Sequence, residues 1–288
     1  MTTQTLKANF SYEALRVNAS VILGLLRGTE RLTDVTPQMQ TVNSFLKQYE
    51  LQDPIFNSNI MRGDRSAIVI FTKNSEKRVL KVYNTRYQTI PRMQEEINFT
   101  AYLNNQGVPS PKILDNKRGK LISKVHCNDN SWIGVVMEFA YGSHPNSYST
   151  RLLRDMGRTQ ARLHTIGEDY YTTYRNPAIS LPKGAVSILL RWLPTGLSHF
   201  DLSSDNIVVR NGRVNNILDF DGMRHDPLIV CTLFSLMCIY KNQPDVISLE
   251  TYLLAYGSVR TLTSSERILI RLVFAIRYLS PKMLWMRF

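Results

Sequence analysis

Apolar positions recur along this chain at two spacings, and the change from one to the other divides it. The first fifty residues read as helical. In VTPQMQTVNSFLKQYE, Val42, Phe45, Leu46 and Tyr49 share one helix face. Thr36 is the expected N-cap there, with Pro37 at the first helical position. The pattern then turns strand-like. SAIVIFTK and KRVLKVYN are β-branched runs joined by the polar NSE, which predicts a hairpin. PRMQEEINFTAYLNNQG follows as a helix, opened by Pro91, carrying Ile97, Tyr102 and Leu103, and stopped by Gly107. VPSPKIL, GKLISKV and WIGVVMEFA read as three further extended segments, and YGSHPNSYST marks a break near residue 141.

Beyond the break, helical spacing returns. STRLLRDMGRTQARLHTIG places Leu152, Leu153, Met156 and Leu163 in register, and PLIVCTLFSLMCIY, too short to span a membrane, reads as a buried core helix. Between them NIVVRNGRVNNILDF interrupts the helices. Its Asn211-Gly212 pair is a strong hairpin signal. His199, Asp201 and Asn206 precede the first strand of that hairpin, and Asp219 and Asp221 follow the second. A hairpin brings its strand ends together, so these five polar residues are expected to converge.

Composition narrows the class. A chain of 288 residues with 43% hydrophobic and 20% charged positions is expected to be soluble and globular. Cys127, Cys231 and Cys238 are scattered and odd in number, which disfavours a disulfide framework or a metal knuckle. With no uninterrupted apolar core at the N-terminus, they point to a cytoplasmic protein without a membrane span. The net charge of +12 raises a nucleic-acid reading. The basic residues are diffuse, however, and match no recognition motif, so no nucleic-acid partner is expected. Oligomeric state is not legible.

H-x-D-x-x-x-x-N followed by D-F-D matches kinase-like phosphotransfer machinery. A hydroxyl acceptor needs a carboxylate to orient it and take its proton, and Asp201 is the candidate base. Nucleotide phosphates need a hard divalent ion with oxygen ligands. Asn206 and Asp219 supply these, and Asp221 is a further metal or supporting ligand. His199 is expected to brace the loop. Upstream, such chemistry asks for a strand lysine on the phosphates, which Lys81 provides. It asks for a helical carboxylate to pair with that lysine, either Glu95 or, at the better spacing, Glu96. It also asks for an extended linker whose backbone reads the base, and Met137, Glu138, Phe139 and Ala140 fit. The phosphate-covering loop IMRGDRSAIVI has only Gly63, with Ser66 as an additional phosphate donor.

RVLKVY, EINFTAYLNNQGVPSPKIL, VVMEFAYG, GRTQARLH, HFDLSSDNIVV and ILDFDG resemble the aminoglycoside phosphotransferase and choline kinase-like superfamily, over about two thirds of the chain. The resemblance implies an α+β, two-lobed, protein-kinase-like fold. A small N-lobe (51–140) with an antiparallel sheet and one helix would bind nucleotide. A larger, mainly helical C-lobe (141–288) would hold the catalytic and acceptor sites, and 1–50 would be a helical preface. It implies ATP, with GTP an option, and Mg2+ as cofactors. By it Asp201 is the base, Asn206 and Asp219 the magnesium ligands, and Lys81 the phosphate anchor. The chain departs from the family at Phe200, where glycine is usual, so a bulky ring is expected beside the acceptor site.

The partners are thus a nucleotide and a small-molecule hydroxyl acceptor: a sugar, an amino alcohol or an antibiotic. After Asp226 the acids Asp245, Glu250 and Glu266 are outnumbered by bases, which disfavours a polycationic aminoglycoside. Trp192, Tyr240, Tyr252, Tyr256, Phe274 and Trp285 could cage a quaternary amine, but core packing is the expected role. Two alternatives differ in class: a catalytically silent kinase-fold nucleotide-binding module, and a basic nucleic-acid- or anionic-membrane-binding protein.

Overall fold

The computed structural model describes residues 36–51, 53–62, 66–127, 129–170 and 192–278. The expected helices before residue 36, the loop at Gly63 and Trp285 lie outside these. Helix α1 (Met39–Gln48) starts later than Thr36 and Pro37 predict. Gln38 is its N-cap, because the amides of Thr41 and Val42 donate to the Gln38 carbonyl. The predicted apolar face is buried as Val42, Phe45, Leu46 and Tyr49.

Two short strands, β1 (Ile55–Phe56) and β2 (Met61–Arg62), pair with β3 (Ser66–Lys73), which forms a hairpin with β4 (Glu76–Asn84). Asn74 and Ser75 both have φ above zero, 51° and 64°, the geometry of a two-residue turn that matches strand twist. Helix α2 (Ile90–Asn105) is capped by the Thr89 side chain. Strands β5 (Ser123–Cys127) and β6 (Asn130–Glu138) complete an antiparallel sheet ordered β1-β3-β4-β6-β5, with β2 also on β3. VPSPKIL is not a strand. Pro109 and Pro111 lack the N–H a ladder needs, and only Ile113 bridges to Met137.

Period-two alternation sorts β4 between the two faces of this sheet. Leu80 and Val82 pack with Val42, Phe45 and Leu46 of α1. Tyr83 packs with Met93 and Ile97 of α2, which leaves Lys81 on the α2 side.

The remainder is mainly helical. Helix α3 (Thr150–Asp169) is capped by Ser149. It crosses β7 (Thr195–Ser198) so closely that a Cβ on Gly167 would lie 1.9 Å from the Leu197 carbonyl oxygen. Strands β8 (Ile207–Arg210) and β9 (Arg213–Ile217) form the second predicted hairpin, with Asn211 and Gly212 at φ 53° and 69°. Strand β10 (Arg224–Pro227) returns antiparallel to β7. Helices α4 (Leu228–Asn242), α5 (Val246–Gly257) and α6 (Ser264–Tyr278) close the core, with Tyr252, Tyr256 and Phe274 fully buried. None of the described helices is long and apolar enough to cross a membrane.

Candidate active site

A cleft of about 460 Å³ opens between the sheet and the helical part. Its apolar walls come from Ile68, Ile70, Val79, Ile113 and Val208. Met137, Glu138, Phe139 and Ala140 all line it, where β6 runs out of the sheet. Lys81, Glu96, Asn206 and Asp219 line the polar end. Glu95, the other candidate on α2, does not.

Lys81 is buried, and its Nζ pairs with Asp219 Oδ1 at 2.5 Å. Asp219 sits in the left-handed region, φ 63° and ψ 65°, which turns its carboxylate back toward β4. Burial pushes that carboxylate up, but the Lys81 ammonium outweighs burial and holds it at about 2. The expected Lys81–Glu96 ion pair is therefore not the one formed. Glu96 Oε2 is buried without a hydrogen bond. Burial raises its carboxyl to about 7 against the pull of Lys81, with Asp221 and Asp219 adding to the rise. Lys81 Nζ reaches Asp219 Oδ1 and makes no ion pair with Glu96.

The catalytic loop is built around a buried imidazole. His199 Nε2 lies 2.7 Å from the Leu218 carbonyl, so Nε2 carries the proton. Burial lowers its pKa, and Nδ1 has no hydrogen-bond partner. The ring packs edge-on against Phe220 at 4.6 Å. His199 thus braces the strand end carrying Asp219 against the loop carrying Asp201. Asp201 is half-buried; burial raises its carboxyl and His199 opposes the rise. Asn206 Nδ2 donates to the Asp201 carbonyl at 2.9 Å, which leaves the Asn206 amide oxygen for another ligand. The Asp221 carbonyl accepts from Arg92 Nη2 at 2.8 Å, and its carboxylate lies within electrostatic reach of Lys81 and Glu96. All five polar residues flanking the hairpin are thus linked through their own contacts or those of their immediate neighbours.

Two expectations need correction. Ser66, on the same face of β3 as the cleft-lining Ile68 and Ile70, is buried opposite Tyr83 at the start of the strand and does not itself line the cleft. Phe200 does not project as a free ring at an acceptor site. Its ring stacks on Phe234 of α4 at 6.1 Å, and the Arg224 guanidinium lies over it. Arg92 and His144 were not anticipated. His144 lines the cleft with Nδ1 3.0 Å from the Ile207 carbonyl, and neither residue belongs to a motif that would announce it.

Among the described residues, no group of three or more His, Cys, Asp or Glu side chains could hold a metal. Two carboxylates and one amide oxygen nevertheless suit a hard ion that fills its shell with phosphate oxygens and water.

Comparison with known proteins agrees with this geometry. Residues 61–179 match the model of the phosphotransferase enzyme family. A homoserine kinase from Granulibacter bethesdensis is 22% identical over 270 residues, covering 82% of this chain and 81% of that one. An amicoumacin kinase solved with AMP-PNP and Ca2+ superposes with a TM-score of 0.70 at 16% identity, over 87% of this chain and 85% of that one. A microcompartment-associated aminopropanol kinase gives 0.68 at 18% identity, over 86% and 89%. By these likenesses the chain resembles the aminoglycoside phosphotransferase and choline kinase-like superfamily. It is a small-molecule phosphotransferase with the two-lobed kinase-like fold.

Proposed function

We propose that this protein transfers the γ-phosphoryl group of ATP or GTP to a hydroxyl of a small molecule, with Mg2+, in the cytoplasm. The observation that carries the reading is the meeting of Lys81 and Asp219 at one end of a cleft whose other end is the Met137–Ala140 segment. In this reading 51–140 grips the nucleotide, and 141–288 supplies the catalytic loop and acceptor pocket. Met137 to Ala140 present backbone groups to the base. Asn206 Oδ1, Asp219 and Asp221 would hold the metal, which when bound neutralises phosphate charge and polarises the transferring group. With Asp219 so engaged, Lys81 is released toward the phosphates and Glu96. Asp201 aligns the acceptor hydroxyl and takes its proton, and the neutral His199 keeps the Asp201 loop in register.

A neutral or anionic acceptor suits the chain best. Of the acids after Asp226, Glu266 is buried against Arg260 and Asp245 caps α5, so neither is spare for a polycation. Tyr252, Tyr256 and Phe274 are core residues and cannot cage an amine. The relatives' name makes homoserine the first acceptor to try, followed by sugars, amino alcohols and antibiotics. The test is magnesium-dependent phosphate transfer across that panel, with Asp201→Asn expected to lose at least about a hundredfold. Nucleotide binding without turnover for every acceptor would replace this reading with a silent binding module.

A further inference from the structure

Two polar residues of α3, Gln160 and His164, are fully buried and break the pattern of the helix that carries them. Met156, Gln160, Leu163 and Gly167 lie on the buried face, and Gln160 is completely buried. A buried amide is costly unless its donors and acceptor are partnered. Gln160 Oε1 accepts from the Tyr252 hydroxyl. Its Nε2 donates to Ser235 Oγ at 3.0 Å and to Cys231 Sγ at 3.1 Å, both on α4.

Ser235 fixes the sense of this network. Its hydroxyl hydrogen faces the carbonyls of Leu202 and Cys231, each at 3.2 Å, and carbonyls only accept. The lone pairs of Oγ are left for a donor, which the Gln160 amide supplies. The backbone N–H of Phe200 lies close enough to the Cys231 thiol to favour its ionised form. The two branches therefore end on residues 200 and 202, immediately before and after Asp201. Phe200 stands at φ 70°, a region bulky side chains rarely adopt, so this backbone needs to be held from outside.

We propose that Gln160 is a positioning residue for phosphoryl transfer, holding the backbone on both sides of Asp201 through Cys231 and Ser235. It touches no substrate and acts only through these two side chains. This inference rests on the phosphotransfer reading above.

The test compares Gln160→Leu, Ser235→Ala, their double variant and Ser235→Thr with the wild type in magnesium-ATP turnover, using the acceptor panel. Each single removal is expected to lower kcat roughly tenfold or more, while KM for ATP and the Kd for ADP stay within about twofold. The double variant is expected to fall no further than Gln160→Leu, because both lie on one path. Ser235→Thr keeps the hydroxyl and is expected to recover most of the loss. Should Gln160→Leu fail to fold, Ser235→Ala, which removes a single oxygen, carries the test. Wild-type kcat in Ser235→Ala, with only a lowered melting temperature, would overturn the inference and leave Gln160 as core packing. A wild type that transfers phosphate to no acceptor removes the phosphotransfer reading and this inference together.

Discussion

Glu96 should make the nucleotide-free protein less stable as pH rises through neutrality. Its carboxyl is held near 7 in the fold against 4.5 for the free group, first by burial and then by Asp221 and Asp219, with Lys81 and Arg92 opposing. Between those two pH values the folded chain keeps a proton that the unfolded chain has released. The unfolded state thus binds fewer protons, and stability falls with rising pH. The fall begins near pH 4.5 and levels off above pH 7. At about 1.4 kcal/mol per pH unit, the gap amounts to roughly 3 kcal/mol, of which about 2–3 kcal/mol lies between pH 5 and 8. The carboxylate lies within the protein, so solvent screening does little to reduce it. Glu96→Gln keeps the shape and removes the titration. Urea unfolding of both proteins at matched ionic strength, from pH 5 to 8, isolates the term as a difference, because the other titrating groups cancel. The glutamine variant should gain on the wild type steadily as pH rises. Parallel curves for the two proteins would refute the reasoning, since they would mean that Glu96 is solvated or already paired with Lys81.

Other outcomes follow from the same contacts. Binding of magnesium-ATP should engage Asp219, free Lys81 to face Glu96 and release a proton from Glu96; calorimetry at pH 7 in buffers of different ionisation enthalpy should detect it in the wild type and not in Glu96→Gln. Lys81→Met should lower phosphate transfer by about a hundredfold or more, because the phosphates lose their protein cation, as a steady-state assay would report. Gly167→Ala should cost about 3 kcal/mol or more in urea unfolding, since its Cβ would stand 1.9 Å from the Leu197 oxygen and push α3 off β7. Brief alkylation of the native protein followed by mass spectrometry should modify Cys127 ahead of Cys231 and Cys238, whose thiols burial pushes up to about 12.

The sequence was most legible where the structure is local. Both hairpins follow from short turn sequences, and the sorting of Lys81 from Leu80 and Val82 follows from alternation alone. The convergence of the residues around Asp201 and Asp219 needed only the Asn211-Gly212 turn. What was not legible depends on distance across the fold. The choice of Lys81 between Glu96 and Asp219 depends on the left-handed backbone at Asp219, which no local pattern marks. Ser66 adjoins the phosphate loop in sequence and shares the face of β3 that carries Ile68 and Ile70, but its burial at the strand's start came only with the fold. The bulk of Phe200 was visible, yet its direction depends on Phe234 and Arg224, distant in sequence. Gln160 did leave a trace, as a polar residue on the apolar stripe of its helix. Its partners on α4 and α5 came only with the fold.

The reciprocal bonds between Ser143 and Val209, at 3.1 and 2.8 Å, pin the chain leaving the cleft to the hairpin that ends at Asn206 and Asp219. At the other end, the Glu138 amide is still tied to the Lys112 carbonyl at 2.9 Å. Only residues 139 to 142 lie between the two anchors, and Gly142, at φ 145°, passes Val209 too closely for any side chain. Such a short tether works as a spacer of fixed length. It sets how far the base-reading edge stands from the metal-bearing tip, so a rocking motion of the sheet would change the reach of Lys81 while leaving that span unaltered.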